Sequence, residues 1–138
     1  YLTMKKLLLF LCIVISVVSC KKTDMEPKGP TDVRIFNKTA EQFENVVVIT
    51  SDNPAYSETE HNFGTVSSGA YSGYHRFDIA YREAADISLT ISGIEYSTPA
   101  VDFTYLTYIG QDKVTYEITI TDPVNHILKI RTILEGPL

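Results

Sequence analysis

A few groups of residues in this sequence carry side chains capable of chemistry, and none falls into a catalytic pattern. Asp52, Asn53, Ser57, Glu58 and Glu60 crowd the stretch SDNPAYSETE with oxygen donors. A calcium loop alternates its ligands, needs a glycine for its sharp turn and ends on a bidentate glutamate. This stretch lacks that order and reads as a solvated acidic loop. His61, His75 and His126 lie far apart, with no pair at the short spacing of a zinc site, so no metal ligand set is expected. Ser67-Ser68-Gly69 and Ser72-Gly73 sit beside glycines, but the Gly-x-Ser-x-Gly elbow that exposes a nucleophilic serine is missing. No glycine-rich phosphate loop or dinucleotide fingerprint is present, so no cofactor is expected. Asn37-Lys38-Thr39 matches the eukaryotic glycosylation sequon.

The remaining reactive group is a thiol. Lys5 and Lys6 are followed by an unbroken apolar run, Leu7 to Val18, and then by the small residue Ser19 and by Cys20. Charged, apolar and small residues in that order are the pattern of a secretory signal. The run falls short of the roughly 20 apolar residues that a bilayer span needs. Val17-Val18-Ser19-Cys20 resembles the bacterial lipobox. The resemblance implies that the Cys20 thiol receives a diacylglyceryl group and that cleavage before it makes Cys20 the acylated N-terminus. Tyr1-Leu2-Thr3 stand before Met4, where such a signal should begin, and read as an over-extended gene start.

The chain divides into three parts: a signal at 1–19, a lipidated cysteine with a tether at 20–31, and one domain at 32–138. Residues 21–31, KKTDMEPKGPT, contain two prolines, a glycine and a single large apolar residue, too little to order a segment. Extended, they reach at most ~35 Å. Lys21 and Lys22 suit anionic head groups. Cys12 leaves with the signal and lipid consumes Cys20, so the domain must hold together without disulfides. Loss of Lys5 and Lys6 takes the formal charge from −5 to −7. An acidic domain does not suit nucleic acid, which selects clustered Lys and Arg.

From Asp32 onward the period is two. Val114, Tyr116, Ile118 and Ile120 alternate with Thr115, Glu117, Thr119 and Thr121, and Ile87, Leu89 and Ile91 alternate with Ser88, Thr90 and Ser92. Leu128, Ile130 and Leu134 face inward against Lys129 and Arg131, as do Val33 and Ile35. Val46 to Ile49 is apolar on both faces and reads as a central strand. The predicted core is Val33, Ile35, Val47, Ile49, Ile87, Leu89, Ile91, Tyr116, Ile118, Ile120, Leu128 and Ile130. Ser92-Gly93 stands at two-residue hairpin spacing, and Asp122-Pro123-Val124-Asn125 at a second hairpin turn. Residues 80–86, AYREAAD, are the one candidate for a helical turn. The expected fold is all-β, an Ig-like sandwich of two antiparallel sheets with about seven strands.

The order FENVVVIT, NFGTVSSGAYSGYHRF, ADISLTISGIEYS and VTYEITITD resembles small Bacteroidota lipoproteins that carry one Ig-like β-sandwich domain and have no assigned activity. The likeness covers most of residues 32–134 and rests on Gly64, Gly69, Gly93 and the alternating apolar positions. It implies an outer-membrane location, lipid-anchored, on the periplasmic side or the cell surface, and transfers no catalytic residue. Lys21, Lys22, Asp24 and Glu26 loosely match the surface-export signal of such lipoproteins. Two functional classes remain. The first is a non-catalytic module, held to the membrane by its N-terminal lipid, that binds an envelope protein, a glycan or a host molecule. The second is an envelope inhibitor of a lysozyme or protease, or an uncharted glycan-active enzyme. Absence of Trp weakens glycan stacking, although nine tyrosines partly substitute.

The stretch VDFTYLTYIG, residues 101–110, has more large side chains than one strand face can bury. With Val101, Phe103 and Tyr105 inward, period two puts Leu106 and Tyr108 outside as a candidate binding surface. A bend after Phe103 would instead fold Leu106 and Ile109 over the end of the core. The anchor has a direct test. Replacing Cys20 with alanine is expected to abolish palmitate labelling and cleavage by the lipoprotein peptidase, and undiminished labelling of that variant would contradict the lipobox assignment.

Overall fold

The computed structural model describes residues 29–138; the signal, Cys20 and the tether up to residue 28 lie outside the described residues. Eight strands run in the order β1 (Thr31–Asn37), β2 (Glu44–Ile49), β3 (Glu60–Asn62), β4 (His75–Phe77), β5 (Asp86–Ile91), β6 (Ile94–Ser97), β7 (Asp112–Asp122) and β8 (Ile127–Pro137). Among the described residues there is no helix, and the fold is all-β. AYREAAD is not helical. Its backbone is bridged to a distant segment, with Tyr81 opposite Tyr108.

The strands are hydrogen-bonded in one mixed sheet, β3-β2-β5-β6-β8-β7-β1-β4, where about seven strands in two antiparallel sheets were expected. Two neighbour pairs are parallel, β1 with β7 and β6 with β8. Alternation reports which face of a strand is buried, not the direction of its neighbour, so it could not show this. The sheet curls around one core. Val46, Val48, Ile87, Leu89 and Ile91 from one half meet Val33, Ile35, Val114, Tyr116, Ile118 and Leu128 from the other.

Both predicted hairpins form. Ser92 (φ 50°) and Gly93 (φ 77°) are both left-handed, as a type I′ turn requires, and Ile91 pairs with Ile94 across it. Asp122 caps the second turn by accepting from the N–H groups of Val124 and Asn125, both at 3.0 Å. Thr31, assigned from sequence to the tether, is the first residue of β1, and its hydroxyl donates to Gly110 O at 2.6 Å. Asn37 is fully buried, its amide donating to Glu41 O (2.7 Å) and Val66 O (3.0 Å). That sequon position is thus a structural corner.

Three assignments of burial are corrected. In β2, Val46 and Val48 are buried while Val47 and Ile49 are half-buried, because the register against β5 shifts between Glu44 and Val47, where Asn45 has φ 48°. Such a bulge exchanges the inward and outward positions of the residues beyond it. In the β7–β8 hairpin, Ile120 and Ile130 are half-buried and pack against the core, while Leu134, opposite the buried Val114, is 43% exposed. Finally, Thr115 and Glu117 of β7, expected to face water, are buried. Strands flank β7 on both sides, and its outer face is roofed by side chains. Arg34 Nε donates to Thr115 Oγ1 (3.0 Å), and Arg131 Nη2 donates to Glu117 Oε2 (3.1 Å). Lys38 adds a second ion pair to Glu117 at 3.6 Å.

Leu89 is 1% exposed at the centre of β5. Leu89→Ala is expected to cost about 2–5 kcal/mol of unfolding free energy in a denaturant titration, since it removes buried methyl groups and leaves a cavity that the packed surroundings fill only in part. A loss below about 1 kcal/mol would show a loosely packed centre.

Candidate functional site

The sheet is weakest between β6 and β8, and local chemistry explains why. Ser97 N–H donates to His126 O (3.1 Å), and Ser97 opposite Ile127 is the single register pair between the two strands. The chain then turns back to β5. Thr98 N–H donates to Ile87 O (2.9 Å), while Thr98 Oγ1 accepts from Ile87 N–H (3.0 Å). Pro99 comes next, with no N–H to offer a ladder. From Leu128 to Pro137, β8 therefore has β7 on one side and no described strand on the other.

A cleft of ≈ 510 Å³ opens at this seam, floored by Ala85 and Leu128 and walled by Pro99, Ala100, Val101 and Ile130. That volume lies within the usual range of ligand pockets, and the lining is mostly apolar. Glu83 and Lys129 bring the charges. Glu83 Oε2 accepts from Thr107 N–H at 2.8 Å. Partial desolvation raises the Glu83 carboxyl, but its hydrogen bonds with Thr107 outweigh that effect and hold it below the usual carboxylate range.

The segment 101–110 departs from the alternation expected of it. Val101, Phe103, Leu106 and Tyr108 are half-buried, Ile109 is buried, and Tyr105, expected inward, is 99% exposed at φ 63°. The reason is the bridge to residues 80–82. Arg82 N–H donates to Thr107 O (2.9 Å) and Ile109 N–H to Ala80 O (3.0 Å), which turns the chain and throws Tyr105 outward. Leu106 is thus half-buried, and the Tyr108 ring stacks on Tyr81 at 5.2 Å.

The histidines, scattered in sequence, do not stay scattered. His61 and His75 stack face to face, centroids 3.6 Å apart and planes 5° from parallel, while His126 rests against Tyr96 at 4.8 Å. Sequence spacing could not reveal this pair, because β3 and β4 are the two ends of the strand order and meet only when the sheet curls. Burial first, and the facing His75 second, push His61 below its ordinary range. The acidic loop before β3 is ordered by its own turns. Asn53 Oδ1 accepts from Ala55 N–H at 2.9 Å, and Ser57 donates to Asp78 through both its N–H and its hydroxyl.

A third surface lies on the outer face of β1 and β7. The Arg34 guanidinium sits 4.0 Å from the centroid of Tyr71 and 4.9 Å from that of Tyr74. Both rings are exposed, at 53% and 42%. Glu135 accepts from Thr115 Oγ1 at 2.7 Å, and this bond first, then that of Arg34, lowers its carboxyl. Glu117 is lowered chiefly by the hydrogen bond from Arg131. These charged groups are all engaged with one another, so the face serves as a roof over β7.

No protein-family model matches this chain, and none of the curated proteins does. Among solved structures it is similar to one described as the NMR structure of a protein from Eubacterium rectale, with a TM-score of 0.43 and 16% identity over 81% of this chain and 94% of that one.

Proposed function

We propose that this chain is a lipid-anchored envelope protein that works as a non-catalytic binding module, held at the outer membrane through Cys20 and docking an extended segment of a partner protein at the β6–β8 seam. The observation that carries this reading is the cleft of ≈ 510 Å³ beside a strand edge that has no ladder partner among the described residues. An added strand gains main-chain hydrogen bonds from such an edge, and pockets for alternate side chains supply specificity. The apolar floor at Ala85 and Leu128 suits one buried anchor side chain. The tether that precedes β1 gives the domain reach from the membrane. The sandwich reading belongs to the same proposal. β3-β2-β5-β6 and β8-β7-β1-β4 act as two facing layers of an Ig-like sandwich, joined by the Ser97–Ile127 pair; their shared core supports this.

Tyr105 favours one second reading, the envelope inhibitor of a lysozyme or protease. Its side chain is fully exposed, and the loop is pinned on either side, with Thr104 N–H donating to Asp102 Oδ1 (2.9 Å) and Thr107 N–H to Glu83. A projecting residue on a fixed loop is what insertion into a target's cleft requires.

One experiment separates the two. A photo-crosslinking residue is placed at Ala100, at Tyr105 or at Ser68 in cells that process the lipoprotein, and the adducts are identified by mass spectrometry. Crosslinking from Ala100, lost when the half-buried Val101 of the same cleft is changed to Asp, is the expected result. Crosslinking from Tyr105 alone would overturn the seam reading in favour of the inhibitor, and equal crosslinking from all three positions would overturn both.

A further inference from the structure

β3 and β4, the two ends of the sheet, are three residues long, and each carries one histidine: His61 opposite Val48 and His75 opposite Val33. The strands do not pair with each other by backbone. Side chains close the gap. The His61 and His75 rings stack at 3.6 Å, and Phe63 and Phe77 hold them edge-on, at 4.8 Å from His61 and 5.0 Å from His75. Glu58 Oε1 lies 2.8 Å from His75 Nε2. The backbone of Glu58 is strapped to the end of β4 in both directions. Its N–H donates to Asp78 Oδ2 (3.0 Å), and its carbonyl accepts from Asp78 N–H (2.9 Å). Three donor groups from separate segments are thus delivered to one place by the closure of the sheet.

We propose that Glu58, His61 and His75 form a binding site for a zinc-class divalent ion that clamps the two free edges of the sheet together. One ligand atom from each residue lies within 4.8 Å of the other two. Bonds of about 2.0–2.2 Å to imidazole nitrogen and carboxylate oxygen place tetrahedral donors about 3.4 Å apart, so the widest pair needs to draw in by about 1.4 Å while the Glu58–His75 pair opens slightly from 2.8 Å. The stacked planes must open from their present 5°, a side-chain rotation, so that the two nitrogen lone pairs converge. Two imidazoles with one carboxylate select zinc and its neighbours over magnesium or calcium, which take oxygen ligands. Three protein ligands leave a fourth position for water. Glu58 is exposed, which gives the ion a path from solvent. Phe63 and Phe77 limit the rings' freedom, so less order has to be created on binding.

The test uses the full chain without a polyhistidine tag and with Cys12→Ser and Cys20→Ser, which removes thiolate sites. Zinc chloride is titrated by calorimetry and in thermal melts, with magnesium chloride as the comparison. The expected result is one zinc per chain, a melting temperature that rises with zinc concentration, and no response to magnesium. His75→Ala and His61→Ala should each weaken zinc at least ~10-fold, and His126→Ala should leave it unchanged. Glu58→Gln, at an exposed position, keeps the test decisive if a histidine variant fails to fold, and should weaken zinc in the same way. Ring resonances of His61 and His75 should shift on zinc addition while those of His126 stay in place. Absence of saturable 1:1 uptake, uptake unaffected by Glu58→Gln, or shifts confined to His126 would each overturn the site.

Discussion

One apolar core holds both halves of this sheet, because the backbone ladder does not hold them at two points on the circuit. Between β6 and β8 the ladder is a single register pair, and between β3 and β4 there is none. What keeps the circuit together is the contact of Val46, Val48, Ile87 and Leu89 with Val33, Ile35, Tyr116 and Leu128 in one cluster. Apolar burial is non-directional, so it can hold two layers together without specifying how their edges meet. The edges are then settled by local groups: Ser97 with His126 at one seam, and Glu58, His61, His75 and Asp78 at the other. Chemistry collects at the seams because strand pairing leaves donors, acceptors and space there.

The strand β7 shows the complementary constraint. It lies between β8 and β1 and is buried on both faces, yet its sequence alternates apolar with polar. Burying Glu117 without a partner would be costly. Arg131 and Lys38 both reach it, and Thr115 is satisfied by Arg34 and Glu135. Tyr116, on the opposite face, is fully buried, and its hydroxyl donates to Tyr81 O at 3.1 Å; burial pushes its ionisation well above the ordinary range. Thr115 and Glu117 on one face and Tyr116 on the other are therefore all hydrogen-bonded.

Features set by neighbouring residues were legible in the sequence. Ser92-Gly93 and Asp122 announced their turns, and the alternation around Ile87, Leu89 and Ile91 marked the buried face of β5. Features set by distant residues were not. The bulge at Asn45 moved β2 by one residue and exchanged Val47 for Val48. The roof over β7 came from Arg34 and Arg131, on two other strands. Tyr105 points outward because residues 107–109 bind residues 80–82, a pairing that no periodicity predicts. His61 and His75 meet through closure of the whole sheet, and β3 is too short to register as a strand. Each miss lies where a contact distant in sequence overrode a local pattern.

The central claim, that the core carries the fold and both seams open more easily than the strands, is tested most directly by native-state amide hydrogen exchange measured residue by residue. The account predicts that the amides of Thr115 to Ile118 exchange only through global unfolding. Those of Ser97, bonded to His126, and Asp78, bonded to Glu58, should exchange through local openings of much lower free energy. Protection of Ser97 and Asp78 equal to that of Tyr116 would contradict it, since the seams would then be as strong as the ladders they interrupt.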